Sequence, residues 1–258
     1  MTKRVPVLMY HRVGEPDNRH DIYCIRPQRF VAHMHALAAA GYHAVGINAF
    51  ESWLTGRQRL PEQSFVLTFD DGFMGVYDHA LPVLESLGWP ATVFIVAAKI
   101  GKQSDWQVTM RYPMPPHPLM GTAELRRLQA GGFSLQSHSL EHHDLTTLDP
   151  IALTHDLDES RTRIANITGD DAPRYLAYPY GRYDARVRQA AASAGFTLAF
   201  SVESGFNSPT QDHYHIRRLD VFGSDSPAML LRKIRLGTND GRLTYLARYY
   251  LQRALRWN

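Results

Sequence analysis

The chain has 258 residues, 44% of them hydrophobic, and its 28 Lys and Arg against 25 Asp and Glu leave a formal charge of +3. That length suits one large α/β domain with a substantial core, and so small a charge, with no binding motif beside it, argues against nucleic acid as a partner. The single cysteine, Cys24, excludes an intrachain disulfide and a cysteine metal cluster, and no apolar stretch approaches transmembrane length.

In chain order, the first element is a strand over residues 5–10, an apolar run ending at Tyr10-His11. A helix over 27–40 follows, with Pro27 suited to a first helical turn and Gly41 to an end. Next come a strand over 43–45, a short helix over 49–55 and a strand over 65–69. That last strand is apolar nearly throughout, as a strand buried on both faces should be, and it runs into Asp70-Asp71-Gly72. Adjacent carboxylates at a strand end repel each other unless a cation lies between them or one is protonated. A divalent ion resolves the conflict: one carboxylate binds it while the other acts as general base on an activated water. Gly72 permits the tight turn this needs, and an ordinary Asp-Asp-Gly turn is the plain alternative.

A helix over 76–87, closed by Gly88, leads to a strand over 91–97 and then to a connection over 99–120 rich in proline. Loops of that length are usually functional or mobile. After a helix over 122–130 and a strand over 133–137 stands His138-Ser139-Leu140-Glu141-His142. Imidazoles at i and i+4 lie on one face of a helical turn and can hold one zinc-type ion. With 13 histidines in the chain, a chance pair is the alternative. Against chance stands the pairing of two strand-end motifs, because two His and one Asp make a three-ligand set with positions left open for water and substrate. A helix over 150–167 and a strand over 175–178 bring in Ala177-Tyr178-Pro179-Tyr180-Gly181. Pro179 biases Tyr178 toward an extended shape and Gly181 lets the backbone turn. The Tyr180 N–H can then face the cavity as an oxyanion donor, or the segment is only a turn. A helix over 184–194 and a strand over 197–200 complete a series of βα units whose three motifs all fall at C-terminal strand ends. The expected fold is α/β, an irregular TIM-like (β/α) barrel.

On these motifs the chain resembles the polysaccharide deacetylase family, the carbohydrate esterases of the NodB-homology type. Thr68-Phe69-Asp70-Asp71-Gly72, His138-Ser139-Leu140-Glu141-His142 and Tyr178-Pro179-Tyr180-Gly181 stand for its first three motifs in order, and the resemblance runs from about Val5 to about Val221. It implies Asp70 as general base, and Asp71, His138 and His142 as ligands of one divalent ion. Zinc is the first expectation for that ion, with cobalt or nickel as the other candidates. It also implies the Tyr180 N–H as oxyanion donor. Two departures stand out: Ala177 occupies the place of the family's base-orienting arginine, and residues 201–207 show no acidic-tryptophan fourth motif. A late histidine motif is missing too. Instead, Val7-Leu8-Met9-Tyr10-His11-Arg12-Val13 is similar to the branch acting on poly-N-acetylglucosamine, where the first strand carries the acid histidine. That resemblance implies His11 as general acid, the alternative being a strand-end histidine bonded to backbone.

The implied activity is metal-dependent removal of N-acetyl groups from N-acetylhexosamine units of a polysaccharide or glycan intermediate. Deacylation of a lipid-linked or nucleotide-linked sugar in exopolysaccharide biosynthesis stays open, as does a catalytically silent glycan-binding barrel. Residues 1–225 are expected to form the catalytic domain and residues 226–258 a basic amphipathic helical segment of the same domain. In that segment Arg232, Lys233, Arg235, Arg242, Arg248, Arg253 and Arg256 interleave with leucines and aromatics. The pattern suits peripheral contact with an anionic membrane, or a helix packed on the barrel with its arginines in solvent. Residues 1–4 are basic, but the apolar run behind them is too short for a secretory signal. The expected location is therefore cytoplasmic, including the inner face of the membrane, or periplasmic if an export signal precedes the sequence.

Overall fold

The computed structural model describes residues 4–106, 113–169, 172–242 and 244. The chain opens with strand β1 (Val7–Tyr10), followed by a two-stranded ladder of β2 (Arg12–Val13) and β3 (Cys24–Ile25). Helix α1 (Pro27–Ala39) leads through β4 (His43–Ala44) and α2 (Ile47–Leu54) to β5 (Ser64–Phe69). Helix α3 (Leu81–Leu87), β6 (Thr92–Ile95), α4 (Thr122–Ala130), β7 (Ser134–Ser137) and α5 (Pro150–Thr168) follow. The last elements are β8 (Tyr175–Ala177), α6 (Ala185–Ser193), β9 (Leu198–Phe200), β10 (Leu219–Asp220) and α7 (Pro227–Leu236).

The main sheet is parallel throughout and runs β10-β1-β5-β6-β7-β8-β9, with β4 paired to the first residues of β5. It curls into a half-barrel whose two edges are joined by residues 216–221. Ile216 bridges Phe200 at one edge, and the Val221 N–H donates to the Met9 carbonyl at 3.0 Å at the other. Side chains alternate between two faces, as pleating requires. Leu8, Tyr10, Phe65, Leu67 and Phe69 point outward into the core under the helices. Val7, Val66, Phe94, Tyr175 and Phe200 point inward, where Ile47, Phe50, Trp53 and Leu54 of α2 pack on them. Helix α2 thereby plugs the floor, and the inward residues beyond that plug line the mouth.

Most expected elements are present with ends shifted by one or two residues. The helix expected over 76–87 is split: residues Val76–Ala80 wind as a π-helix and α3 begins at Leu81. Pro82 lacks an N–H and crowds the carbonyl four residues back, and the wider turn before it relieves that clash. Helix α7 is capped by the Ser226 side chain, which accepts from the Met229 N–H, and it sends Leu230 and Ile234 into the main core. Its Lys233 is not a solvent cation. The residue is 1% exposed, bonded to the Asp225 carboxylate and to the Asp220 carbonyl. Arg248, Arg253 and Arg256 of the basic tail lie outside the described residues.

Candidate metal centre and active site

Consecutive strand residues point to opposite faces, so Asp70 and Asp71 share one cavity only if the strand ends between them. It does. The Asp70 N–H still donates to the Tyr10 carbonyl at 2.9 Å, whereas Asp71 and Gly72 take positive φ of 75° and 82°. Aspartate visits that left-handed region more readily than most side chains, and glycine does so freely.

His138 and His142 are brought together differently from the helical turn expected. Residues 138–144 form no helix. Ser139 and His142 adopt φ of 68° and 62°, and the loop is tied down from several sides. The His142 N–H donates to Ser139 Oγ at 3.0 Å, the Leu140 N–H to Asp156 Oδ1 at 2.9 Å, and the Ala97 N–H to the Ser139 carbonyl at 3.1 Å. The spacing served two left-handed corners rather than one turn of helix.

Asp71 Oδ1 lies 3.3 Å from His142 Nε2 and 3.5 Å from His138 Nε2, and all three residues are buried. Bonds of about 2.1 Å in a tetrahedral site put neighbouring ligand atoms roughly 3.4 Å apart. Asp71 Oδ1 has no hydrogen-bond partner among the described residues, so the oxygen facing both imidazoles is otherwise an orphan buried acceptor. His138 Nδ1–H donates to the Ala177 carbonyl at 2.8 Å, which leaves its Nε2 lone pair toward Asp71. Burial pulls His138 down to about 4 and His142 to about 3, so both are neutral near pH 7, the form a ligand needs. The same burial raises Asp71, a carboxylate short of positive charge. The donor set fits a divalent ion.

Asp70 stands beside this cluster with its two oxygens divided. Oδ1 accepts a 2.7 Å bond from Arg218 Nη1, while Oδ2 lies 4.0 Å from His138 Nε2. Arg218 and Asp70 are 0% and 2% exposed. Burial alone would raise Asp70, but the Arg218 guanidinium, with smaller help from His138 and His11, brings it to about 2. Arg218 also donates from Nε to the Ser201 carbonyl at 2.9 Å and lies over the Phe94 ring at 5.6 Å. It was not among the residues expected from the sequence. It precedes β10, where an inward charged residue set between Ile216 and Leu219 was the available signal. Ala177, where an arginine was expected, packs its methyl in the inner core instead.

His11 follows Tyr10, which is in register with Phe69, so it flanks Asp70 at the mouth. Burial lowers its pKa while Asp70 and Asp71 pull it upward. Its Nδ1 has no partner among the described residues, and its ring lies 4.5 Å from that of Tyr23. Tyr180 sits at the other side of the cluster with φ 58° and its ring edge-on to His142 at 4.6 Å. Trp106 stacks on His142 at 4.5 Å and 21°. Lys99 ties that segment down by bonding both Asp105, at 2.7 Å, and Glu141, at 3.0 Å.

A curled parallel half-barrel with an Asp-His-His cluster at its C-terminal mouth is the architecture of polysaccharide deacetylases. The chain belongs to that family, whose model matches residues 57–199. It is 27% identical over 226 residues to YxkH of Bacillus subtilis, covering 88% of this chain and 73% of that protein. It is 25% identical over 237 residues to the poly-beta-1,6-N-acetyl-D-glucosamine N-deacetylase of Staphylococcus epidermidis, covering 83% of this chain and 78% of the relative. Among solved structures, the deacetylase PplD of Streptococcus pyogenes superposes with a TM-score of 0.77 at 20% identity, over 90% of this chain and 98% of that one. At that identity the likeness is one of fold.

Proposed function

We propose that the protein is a metal-dependent N-deacetylase acting on N-acetylhexosamine units of a polysaccharide of the poly-N-acetylglucosamine type. The observation that carries the reading is the buried Asp71 Oδ1, without a hydrogen-bond partner among the described residues and set 3.3 Å and 3.5 Å from two imidazole nitrogens. Asp71, His138 and His142 would hold a zinc-type ion, which when bound polarises the acetyl carbonyl and activates a water. Asp70 takes the proton of the attacking water on Oδ2, because Arg218 holds Oδ1 and keeps the carboxylate ionised. The Tyr180 N–H donates to the carbonyl oxygen as negative charge grows there. His11 becomes an acid once it carries a second proton, a state that burial opposes and the two aspartate charges favour, and it hands that proton to the departing amine. The products are acetate and a free amino sugar. The Staphylococcus epidermidis relative, by its name, acts on such a polymer, which supports the substrate class. Of the two departures that leave room for a silent barrel, Ala177 and the absent fourth motif, the first is answered by the Arg218 guanidinium on Asp70.

The test is acetate release from an N-acetylglucosamine oligomer, with and without chelator, beside elemental analysis of His138→Ala. Wild-type protein should hold about one ion and lose turnover on chelation, and the variant should lose both. Stoichiometric metal retained by the variant, or chelator-resistant turnover, would overturn the assignment.

A further inference from the structure

Exposed apolar side chains cluster at the mouth of the barrel. Among the described residues six large ones are exposed; Tyr180 and Val202 follow the C-terminal ends of β8 and β9, and Ile22 and Tyr23 lie in the loop between β2 and β3, where Tyr23 rests on His11. They form two groups. Ile22 and Tyr23 precede β3 beside His11, while Val202 packs against the Tyr180 turn, so closely that a Cβ on Gly181 would come within 2.3 Å of it. In sheet order, β1 and β8 are separated by β5, β6 and β7, so the groups flank the metal cluster from different sides.

The chemistry of an amide assigns the two sides. Its carbonyl carbon must sit by the metal ligands and the Tyr180 N–H. Its nitrogen must sit by His11, and the sugar ring hangs from that nitrogen. The pyranose therefore lies on the His11 side, where the exposed aromatic is Tyr23. That ring is 40% exposed, rests on His11 at 4.5 Å and is backed by Phe222 at 5.6 Å. A ring packed along one part and open along the rest offers the flat apolar surface that the C–H face of a pyranose covers, with little loss of side-chain freedom. Burial first, then the charges of Asp220 and Asp70, push its phenol to about 12, so it stays neutral and keeps a hydroxyl to donate.

We infer that Tyr23 is the platform for the sugar ring that bears the scissile N-acetyl group, a specificity-determining contact on the leaving-group side. This rests on the deacetylase reading and adds the residue that selects a pyranosyl amide over a small acetate ester. An aryl acetate has no pyranose and needs no such surface.

The experiment compares Tyr23→Ala and Tyr23→Phe with wild type on an N-acetylglucosamine pentamer and on 4-nitrophenyl acetate. Tyr23→Ala should raise KM for the pentamer, and its loss of kcat/KM there should exceed its loss on the ester by about tenfold or more. Tyr23→Phe, which keeps the flat ring, should recover most of that difference. Equal losses on both substrates would mean that Tyr23 serves no sugar-specific step, and a loss confined to kcat on the pentamer, with KM unchanged, would mean that it acts only through His11 and contacts no sugar; either overturns the inference. Calorimetric binding of the pentamer to chelator-treated protein separates this from the reading beneath it. If wild type releases no acetate yet binds the pentamer about tenfold more tightly than Tyr23→Ala does, the platform stands and the deacetylase reading falls. Equal affinity in the two proteins removes the platform.

Discussion

Arg218 and Asp70 meet across 148 positions of sequence, both buried, at 2.7 Å. A pair like this is not a large net stabiliser, since both ions were taken out of water, but breaking it leaves one buried charge without a partner. Arg218→Met should therefore destabilise the metal-free protein by about 3–5 kcal/mol, and Arg218→Met combined with Asp70→Asn should regain much of the loss. Urea unfolding of the two single variants and the double variant checks this; strictly additive losses would mean that the two side chains do not act as a pair. Their separation also explains what the sequence hid. Asp70, Asp71, His138 and His142 were legible because each lies within a few residues of a strand end. The guanidinium reaches Asp70 from a segment whose own pairing, two residues of β10, is too short to leave a periodic pattern. A long, flexible side chain can answer a local need from a remote backbone, so its loss from one motif position says little about whether the charge is present.

At the level of elements, close approach rather than propensity decides several joints. The π-helical turn after Gly75 lies directly on β2, where a Cβ at Gly75 would stand 1.8 Å from the Val13 carbonyl oxygen. Gly75 has an ordinary φ of −61°, so alanine there is opposed only by the contact. Gly75→Ala should cost about 1–3 kcal/mol through overpacking and should loosen the β2-β3 ladder that carries Tyr23. Gly46 is the control: its φ is −66° and nothing lies within 4 Å of its added Cβ. Gly46→Ala should stay within about 0.5 kcal/mol of wild type in thermal unfolding, and comparable losses at both positions would sink the contact argument. Neither this joint nor the His138–His142 corner could be read from spacing. The i, i+4 interval is the signature of a helical turn, yet Ser139 and His142 sit at left-handed φ because Ser139 Oγ and Asp156 satisfy the loop's N–H groups. Regular elements announce themselves by period; irregular ones are decided by hydrogen bonds to residues elsewhere.

Across the whole molecule, the sheet is joined to its helices on the closing side by a buried polar network. Tyr10 Oη donates to His33 Nδ1 at 3.0 Å, His33 Nε2–H donates to the Asp225 carbonyl at 2.8 Å, and Lys233 bonds the Asp225 carboxylate. This links β1, α1 and the turn between β10 and α7, which directly follows the stretch that joins the sheet edges and presents Arg218. The network requires a neutral His33, whose Nδ1 accepts while Nε2–H donates. Burial pulls His33 down to about 4, whereas an unfolded histidine titrates near 6.5. Between those values the unfolded chain binds the extra proton and the folded chain does not. The stabilising contribution is therefore complete above about pH 6.5 and is lost as pH falls toward 4, on the order of 3 kcal/mol in all. Asp220, raised to about 6 chiefly by burial, works in the opposite sense, because its ionised form burdens the fold at higher pH and protonation relieves it. His33→Gln keeps an acceptor for Tyr10 and a donor for Asp225 but does not titrate, so its unfolding free energy should fall less steeply than that of wild type between pH 6.5 and 4. Urea unfolding of both proteins in chelator across that window gives the comparison, with His138, His142 and Asp220 common to each. Parallel pH profiles would show that His33 is not the titrating joint on the closing side of the half-barrel.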